Sequence, residues 1–285
     1  MTVLEVIQKS SEFLGKKGVD SPRLQVELLL AHVLQLPRMG LYLNFARELT
    51  PAELDQVREL IKRRGQREPL QHIVGSTSFV GLEMKVNAHV LVPRPETEEL
   101  AELGWNFLNA ATSTPPTAMD FGTGSGCLAI SLAVKSPAAQ IQAVDISPEA
   151  LAVARDNATR HEVQNRIQFH LGDGFAALPP EARFDLIAGN PPYIPSAEIE
   201  TLDPEVRDHD PRLALNGGAD GLDFYHRLAQ EAGAFLRPGG RIMLEFGEGQ
   251  AEAIRGIFES QKWIVEQIKP DYSGRLRVLI ARRAD

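Results

Sequence analysis

The chain of 285 residues predicts an α/β fold: a mostly parallel sheet covered by helices, ending in an antiparallel hairpin and preceded by a small helical bundle. Three observations predict it. Apolar residues recur at helical spacing through the first seventy positions, strand and helix patterns alternate from Ala118 onward, and the last two strand-like runs have no helix between them. Hydrophobic content of 43% and charged content of 24% suit a soluble core of ordinary size plus a smaller module, and argue against disorder.

Val3, Val6, Ile7, Phe13 and Leu14 mark the first helix. Ser21-Pro22 offers a cap and first-turn proline for the second, whose apolar positions include Leu24, Leu28, Leu29 and Val33. Thr50-Pro51-Ala52-Glu53 reads as a capping box ahead of Leu54, Val57, Leu60 and Ile61. Residues 1–69 are therefore expected to form a helical domain. The period then changes: Phe79, Leu82, Met84 and Val86 alternate around Gly75 and Gly81, so residues 70–92 read as a β-hairpin linker.

Residues 93–285 form the third region, opening on a helix at Pro93-Arg94-Pro95-Glu96-Thr97-Glu98, where proline and acidic residues suit a first turn. Strands are expected over 118–121, 141–144, 167–170, 184–188 and 241–246, with helices from near Ser125, Ser147 and Leu222. Such alternation implies right-handed crossovers and a parallel sheet. The pair 263–268 and 276–281 closes as a hairpin, and no element is assigned to residues 251–262.

The net charge of −8 is uneven: residues 1–75 hold eleven Lys or Arg against nine Asp or Glu, and the rest hold 19 against 29. Arg58, Lys62, Arg63, Arg64 and Arg67 form the dense basic run, read either as a solvated helix face or as a docking surface for an acidic partner. The acidic remainder disfavours an extensive phosphate-backbone track, so direct nucleic-acid binding is not expected. One cysteine, Cys127, permits no internal disulfide and suits a reducing cytoplasm; it reads as a small buried helix-start residue rather than a reactive thiol. The seven histidines lack cysteine pairs, so no metal site is expected; nor is a signal peptide, a membrane span or an oligomer.

Gly122-Thr123-Gly124-Ser125-Gly126 follows the strand that carries Asp120, and its glycines allow a tight turn and close approach of a ligand. Asp145 ends the next strand, 23 residues after Gly122, where a carboxylate can accept hydrogen bonds from both ribose hydroxyls. The loop lacks both the dinucleotide G-x-G-x-x-G spacing and a Walker lysine, which favours S-adenosylmethionine over NAD or ATP. Asp173 and Gly174, after the third strand, fall where the adenine amino group and ring would be met; an Asp-Gly turn with no ligand is the alternative.

Asn190-Pro191-Pro192-Tyr193 ends the fourth strand and should face the cofactor loop across the cleft. The Asn190 side-chain oxygen and the Pro191 main-chain carbonyl can each accept one hydrogen from a substrate NH2, and Tyr193 can cover a planar group. An amide nitrogen is a poor nucleophile, so positioning must supply much of the rate. Asn190, Pro191 and Tyr193 are the catalytic candidates, with Pro192 completing the substrate site and Asn190 also reaching the cofactor.

The sheet order with its terminal hairpin looks like the Rossmann-like class I methyltransferase fold. Nearly the whole chain resembles the release factor glutamine methyltransferase family (HemK/PrmC). The likeness runs through residues 68–75, Pro93 to Glu98, Asp120 to Gly126, Asn190 to Tyr193, Asn216-Gly217-Gly218 with Asp220-Gly221-Leu222, and residues 236–250. It implies methylation of the side-chain amide of the glutamine at the Gly-Gly-Gln tip of class 1 peptide release factors, with the helical domain of residues 1–69 as the substrate-recognition domain. It further implies that Gly122 to Gly126, Asp145, Gly174 and Asn190 serve S-adenosylmethionine, and Asn190 to Tyr193 the glutamine. Phe121 stands where the family commonly has Leu, and Gly174 where some members carry a large side chain. Arg94 is read either as shaping the cleft or as pairing with nearby glutamates, and Glu245 and Gln250 match the family without an assigned chemistry. Because adenine amino-methylases share the Asn-Pro-Pro-Tyr motif, other readings stay open: glutamine methylation of a ribosomal protein, adenine methylation of nucleic acid, or a cofactor-sensing adaptor without turnover.

Overall fold

The computed structural model describes residues 1–284 and forms two compact units: Met1–Ser76 with Asp203–His209, and the remaining described residues. The first unit holds α1 (Val3–Lys16), α2 (Pro22–Leu34), α3 (Arg38–Tyr42), α4 (Pro51–Gly65) and α5 (Leu70–Val74). Capping boxes start two of them. Thr50 and Glu53 bond each other's backbone N–H at α4, and Thr2 and Glu5 do the same at α1, a pair that the sequence reading passed over. Ser21 differs from expectation: its φ is 46° and its side chain makes no cap bond, so Pro22 alone opens α2.

The bundle core gathers Val3, Val6, Ile7 and Leu14 of α1, Val26, Leu29 and Leu30 of α2, and Val57 and Ile61 of α4. On α2 the expected face was rotated: Leu24 is exposed and Val26 is buried. The cause is a helix apolar nearly all round, in which periodicity selects no face.

Arg63, Arg64 and Arg67 of the basic run are engaged within the unit, whereas Arg58 and Lys62 are exposed. Arg58 pairs with Asp55 at 3.0 Å, and Arg63 reaches both oxygens of Glu68. Arg64 is buried; its Nη1 donates to the Glu68 carbonyl and its Nη2 to Glu205 Oε1 at 2.6 Å. Arg67 donates to both Glu205 oxygens at 2.7 and 2.6 Å. Burial alone would raise the Glu205 carboxyl, but these two guanidinium partners hold it below the usual carboxylate range.

The second unit opens with the hairpin β1 (Ser76–Phe79) and β2 (Leu82–Lys85), followed by α6 (Pro95–Ala110), β3 (Thr117–Phe121), α7 (Cys127–Lys135), β4 (Gln140–Asp145), α8 (Pro148–Arg160), β5 (Ile167–Leu171) and β6 (Phe184–Gly189). Beyond β6 the chain makes α9 (Pro204–Arg207, in the first unit), α10 (Arg212–Leu215), α11 (Asp223–Glu231), β7 (Leu236–Glu245), α12 (Ala251–Ser260), β8 (Trp263–Pro270) and β9 (Leu276–Arg283). The connector read wholly as a hairpin begins with a helical turn, α5. Helix α12 was also unread: it anchors on only three fully buried positions, Ala251, Ile254 and Phe258.

The seven-stranded sheet runs β5-β4-β3-β6-β7-β9-β8, parallel except for β9, which is antiparallel to both its neighbours. Alternate residues of β3 feed separate cores: Ala118 joins a cluster with Leu100, Leu128 and Leu132, and Met119 and Phe121 join one with Tyr225, Leu228, Ile254 and Phe258. Both faces are thus covered, as a parallel sheet requires. No described helix is long and apolar enough to cross a membrane.

Replacing Glu205 by Ala leaves Arg64 buried without its carboxylate and is expected to destabilise the helical unit by about 3 kcal/mol. Chemical denaturation checks this; an unchanged midpoint would reduce the pair to an inert surface contact. Since the Glu205 carboxyl is depressed in the folded state, its contribution is present above the ordinary carboxylate pKa and is lost as pH falls through the lowered value.

Candidate active site

Leaving β3, the chain winds outward through β4 and β5, then returns to β6 on the other side of β3. Connections at the carboxyl ends of β3 and β6 therefore diverge and open a crevice. The cavity at these strand ends, of about 240 Å³, is lined by Gly122, Gly124, Asp145, Asp173, Gly174, Asn190 and Pro192. Thr123, Ser125, Gly126, Pro191 and Tyr193 do not line it.

The glycine loop divides its labour. Gly122 and Gly124 have φ of 73° and 55°, and an added Cβ at either would meet no protein atom within 4 Å. Their open faces line the cavity. At Gly126 a Cβ would lie 3.0 Å from Ile130 and 3.1 Å from Ala154, so this glycine lets α7 approach α8. Thr123 and Ser125 are buried and shape the loop from behind. The Thr123 hydroxyl donates to Asp120 Oδ2 at 2.6 Å, and the same oxygen accepts the Ala129 N–H at 3.1 Å. Burial pushes the Asp120 carboxyl up to about 7 in spite of these bonds.

Asp145 is pinned by its own loop. Its Oδ2 accepts the Gly124 N–H at 2.8 Å and its Oδ1 the Ser147 N–H at 2.9 Å. Each oxygen keeps a second lone pair for a ligand hydroxyl. Asp173 is held from outside by Arg227, whose Nη1 donates to Oδ1 and Nη2 to the main-chain oxygen. A Cβ at Gly174 would come within 2.7 Å of the Phe121 ring. The ring at 121, with Arg227 behind it, thus occupies the room a side chain at 174 would need.

Asn190 follows the last residue of β6 and lines the cavity, while its Nδ2 donates to Thr97 Oγ1 at 3.2 Å. Pro191 is buried behind it. The Asn216 to Leu222 run backs this motif: a Cβ at Gly217 would lie 2.8 Å from the Pro192 carbonyl oxygen, and one at Gly221 2.3 Å from that of Tyr193. Gln250 completes the support, with Nε2 donating to the Tyr193 carbonyl at 2.9 Å and Oε1 accepting the Gly247 N–H at 2.9 Å. Burial pushes the Tyr193 phenol up to about 12, with Glu245 adding to the shift, so the ring stays neutral.

Two walls of the cavity escaped the sequence reading: Ala88 to Leu91, and Pro211 with Leu213 and Ala214. Neither carries a motif. The first is set by the buried Asn157, which accepts the Lys85 N–H at 2.7 Å and donates to the Lys85 and Ser125 carbonyls. The second is tied down by Arg94, whose partner is not a nearby glutamate but the buried Asp210, at 2.8 Å. Cys127 is partly buried, and desolvation pushes its thiol up to about 12, away from reactivity.

Residues 5–75 match the PrmC N-terminal domain and residues 104–202 the methyltransferase small domain. A release factor glutamine methyltransferase of Geobacter sulfurreducens is 46% identical over 259 residues, covering 90% of this chain and 88% of its own. Its counterpart in Deinococcus radiodurans is 40% identical over 284 residues, covering 100% and 99%. Among solved structures, a methyltransferase from Pyrococcus furiosus aligns with a TM-score of 0.55 at 20% identity, over 79% of this chain and 99% of its own, a likeness of fold alone. With near-full-length identity of this order joined to a cavity built from Gly122, Asp145 and Asn190, the chain belongs to the release factor glutamine methyltransferase family.

Proposed function

We propose that this protein transfers a methyl group from S-adenosylmethionine to the side-chain amide nitrogen of the Gly-Gly-Gln glutamine of class 1 release factors, in the cytoplasm. The observation that carries the reading is Asn190 on the wall of the same cavity as Gly122, Gly124 and Asp145.

The residues present fit the donor. Two open glycine faces admit a ligand against the backbone, and the fixed Asp145 carboxylate keeps lone pairs for vicinal hydroxyls. When bound, the donor would supply an electrophilic methyl on a sulfonium; its transfer to the amide nitrogen would leave a neutral thioether, and the proton lost from nitrogen would pass to solvent. Asn190 Oδ1, on the cavity wall, takes one amide hydrogen and orients the lone pair, and the main-chain carbonyl of Pro191, between two residues that line the cavity, is the candidate for the second. As positive charge develops on nitrogen, these acceptors stabilise it more than they do the neutral amide, so they act on the transition state. Tyr193, expected to cover the planar group, stays neutral and has its carbonyl fixed by Gln250, but it is packed against the core beside the cavity and does not line it. The helical domain is read as holding the body of the release factor.

Labelled cofactor offered with a release factor, the same factor with its tip glutamine replaced, ribosomal proteins and DNA tests this. Label is expected on the intact factor; equal label on the substituted factor, or label on DNA alone, rejects the reading. Asn190→Ala should largely keep cofactor binding and lose about 100-fold or more in single-turnover rate. Asp145→Ala should weaken cofactor affinity by about 10- to 100-fold, through two lost charge-assisted hydrogen bonds and a loosened Gly124, as isothermal titration would read.

A further inference from the structure

Glu245 is a buried acid with no part in the mechanism above. It ends β7, its side chain is buried, and its Oε2 has no hydrogen-bond partner. In the parallel register Gly189 lies beside Leu244, so the next residues along the two strands, Asn190 and Glu245, are neighbours, and Asn190 lines the cavity. Thr97, in the first turn of α6, is also buried and accepts the Asn190 Nδ2 hydrogen. Thr97 and Asn190 both favour the charged form of the Glu245 carboxyl.

Resting on the function proposed above, we propose that Glu245, acting with Thr97, is a positioning residue that fixes the Asn190 carboxamide so that its oxygen, not its NH2, faces the methyl-accepting nitrogen. A carboxamide is nearly symmetric in shape, and turned by half a revolution it would present two donors to a substrate NH2 that also donates. Such a turned amide repels the substrate. Thr97 alone cannot forbid it, because a hydroxyl serves as donor or acceptor. An ionised carboxylate only accepts. Taking the Thr97 hydroxyl hydrogen, it leaves Thr97 Oγ1 as an acceptor for Asn190, and it repels the Asn190 oxygen directly. Glu245 therefore polarises the pair in one direction.

Burial pushes the Glu245 carboxyl up to about 7; Thr97 hydrogen bonding opposes this, Glu96 of α6 adds to it, and Arg277 of β9 and Asn190 oppose it. Tyr193 and Tyr225 also face it, the Tyr225 hydroxyl donating to the Glu245 main-chain oxygen at 2.8 Å. Cys127 completes the surroundings as a neutral thiol. The lock therefore strengthens as pH rises through neutrality.

Two readouts test this in the full-length protein with Glu245→Gln and Thr97→Val. The first is the side-chain NH2 resonance of Asn190, identified by its loss in Asn190→Ala. It should shift with an inflection near pH 7 in the natural protein, lose that inflection in Glu245→Gln, and move in Thr97→Val. The second is turnover on a release factor: Glu245→Gln should lose about 100-fold in kcat, Thr97→Val less, both with cofactor Kd within about twofold of natural. A resonance indifferent to both substitutions, or turnover at the natural rate in both, overturns the positioning role. So does a kcat loss matched by an equal loss of cofactor affinity. Thr97→Val preserves volume and adds no charge, so it decides the matter if Glu245→Gln fails to fold. A natural protein inert on release factors, with the resonance coupled as described, faults the substrate reading and leaves the positioning role standing.

Discussion

The parallel pairing of β6 between β3 and β7 is the constraint on which the site depends. Gly189 lies beside Phe121 on one side and Leu244 on the other, and a Cβ at Gly189 would come within 2.7 Å of the Phe121 carbonyl oxygen. One register thus sets Asn190 between the glycine loop and Glu245. A slip of one residue would send Asn190 to the other face of the sheet and exchange the buried sets of β6. Covering both faces with apolar side chains, Leu186 and Ala188 on one and Phe184 and Ile187 on the other, is what makes such a slip prohibitive.

Close packing of backbone on backbone carries that order outward. Pro191 and Pro192 contribute no N–H to hold the segment in place, so its conformation must be imposed by contact. Gly217 and Gly221 admit the Pro192 and Tyr193 carbonyls where any side chain would intrude, and the Gln250 amide takes the second of these as a hydrogen-bond acceptor. At the far wall Phe121 and Gly174 share one volume, and Phe121 in turn meets Phe175 and Phe224 with ring centroids 5.8 and 6.2 Å apart. Aromatic packing there serves the core and the cavity lining together.

Motif-bearing parts of the site were legible because each has a local cause. A strand that ends in Asp, a turn that needs positive φ at Gly122 and Gly124, and a capping box at Thr50 are properties of neighbouring residues, and they read from spacing. What the sequence hid is long-range pairing. Arg64 with Glu205, Arg94 with Asp210, and Asn157 with Lys85 lie 141, 116 and 72 positions apart, and no periodicity marks them. The division of the glycine loop was hidden for a similar reason: Gly126 differs from Gly124 through Ile130 and through Ala154 of α8, and the second of these lies outside the loop and its own helix. Glu245 and Gln250 were visible as a pattern, yet their chemistry appears only when the strand ends are brought side by side.

The segment between β6 and α11 ties these scales together. It leaves the sheet as Asn190 to Tyr193, gives Asp203–His209 to the helical unit through Arg64 and Arg67, and returns as Pro211 and Ala214 on the cavity wall. A connection this long, without a core of its own, would be costly in conformational entropy and mobile unless anchored at intervals. Its anchors are polar: half-buried Glu205 between two guanidinium groups, buried Asp210 against Arg94, and the Ile194 and Asn216 backbones in a parallel bridge. Because removing one member of a buried ion pair costs more than the intact pair contributes, each anchor acts as a requirement more than as a source of stability.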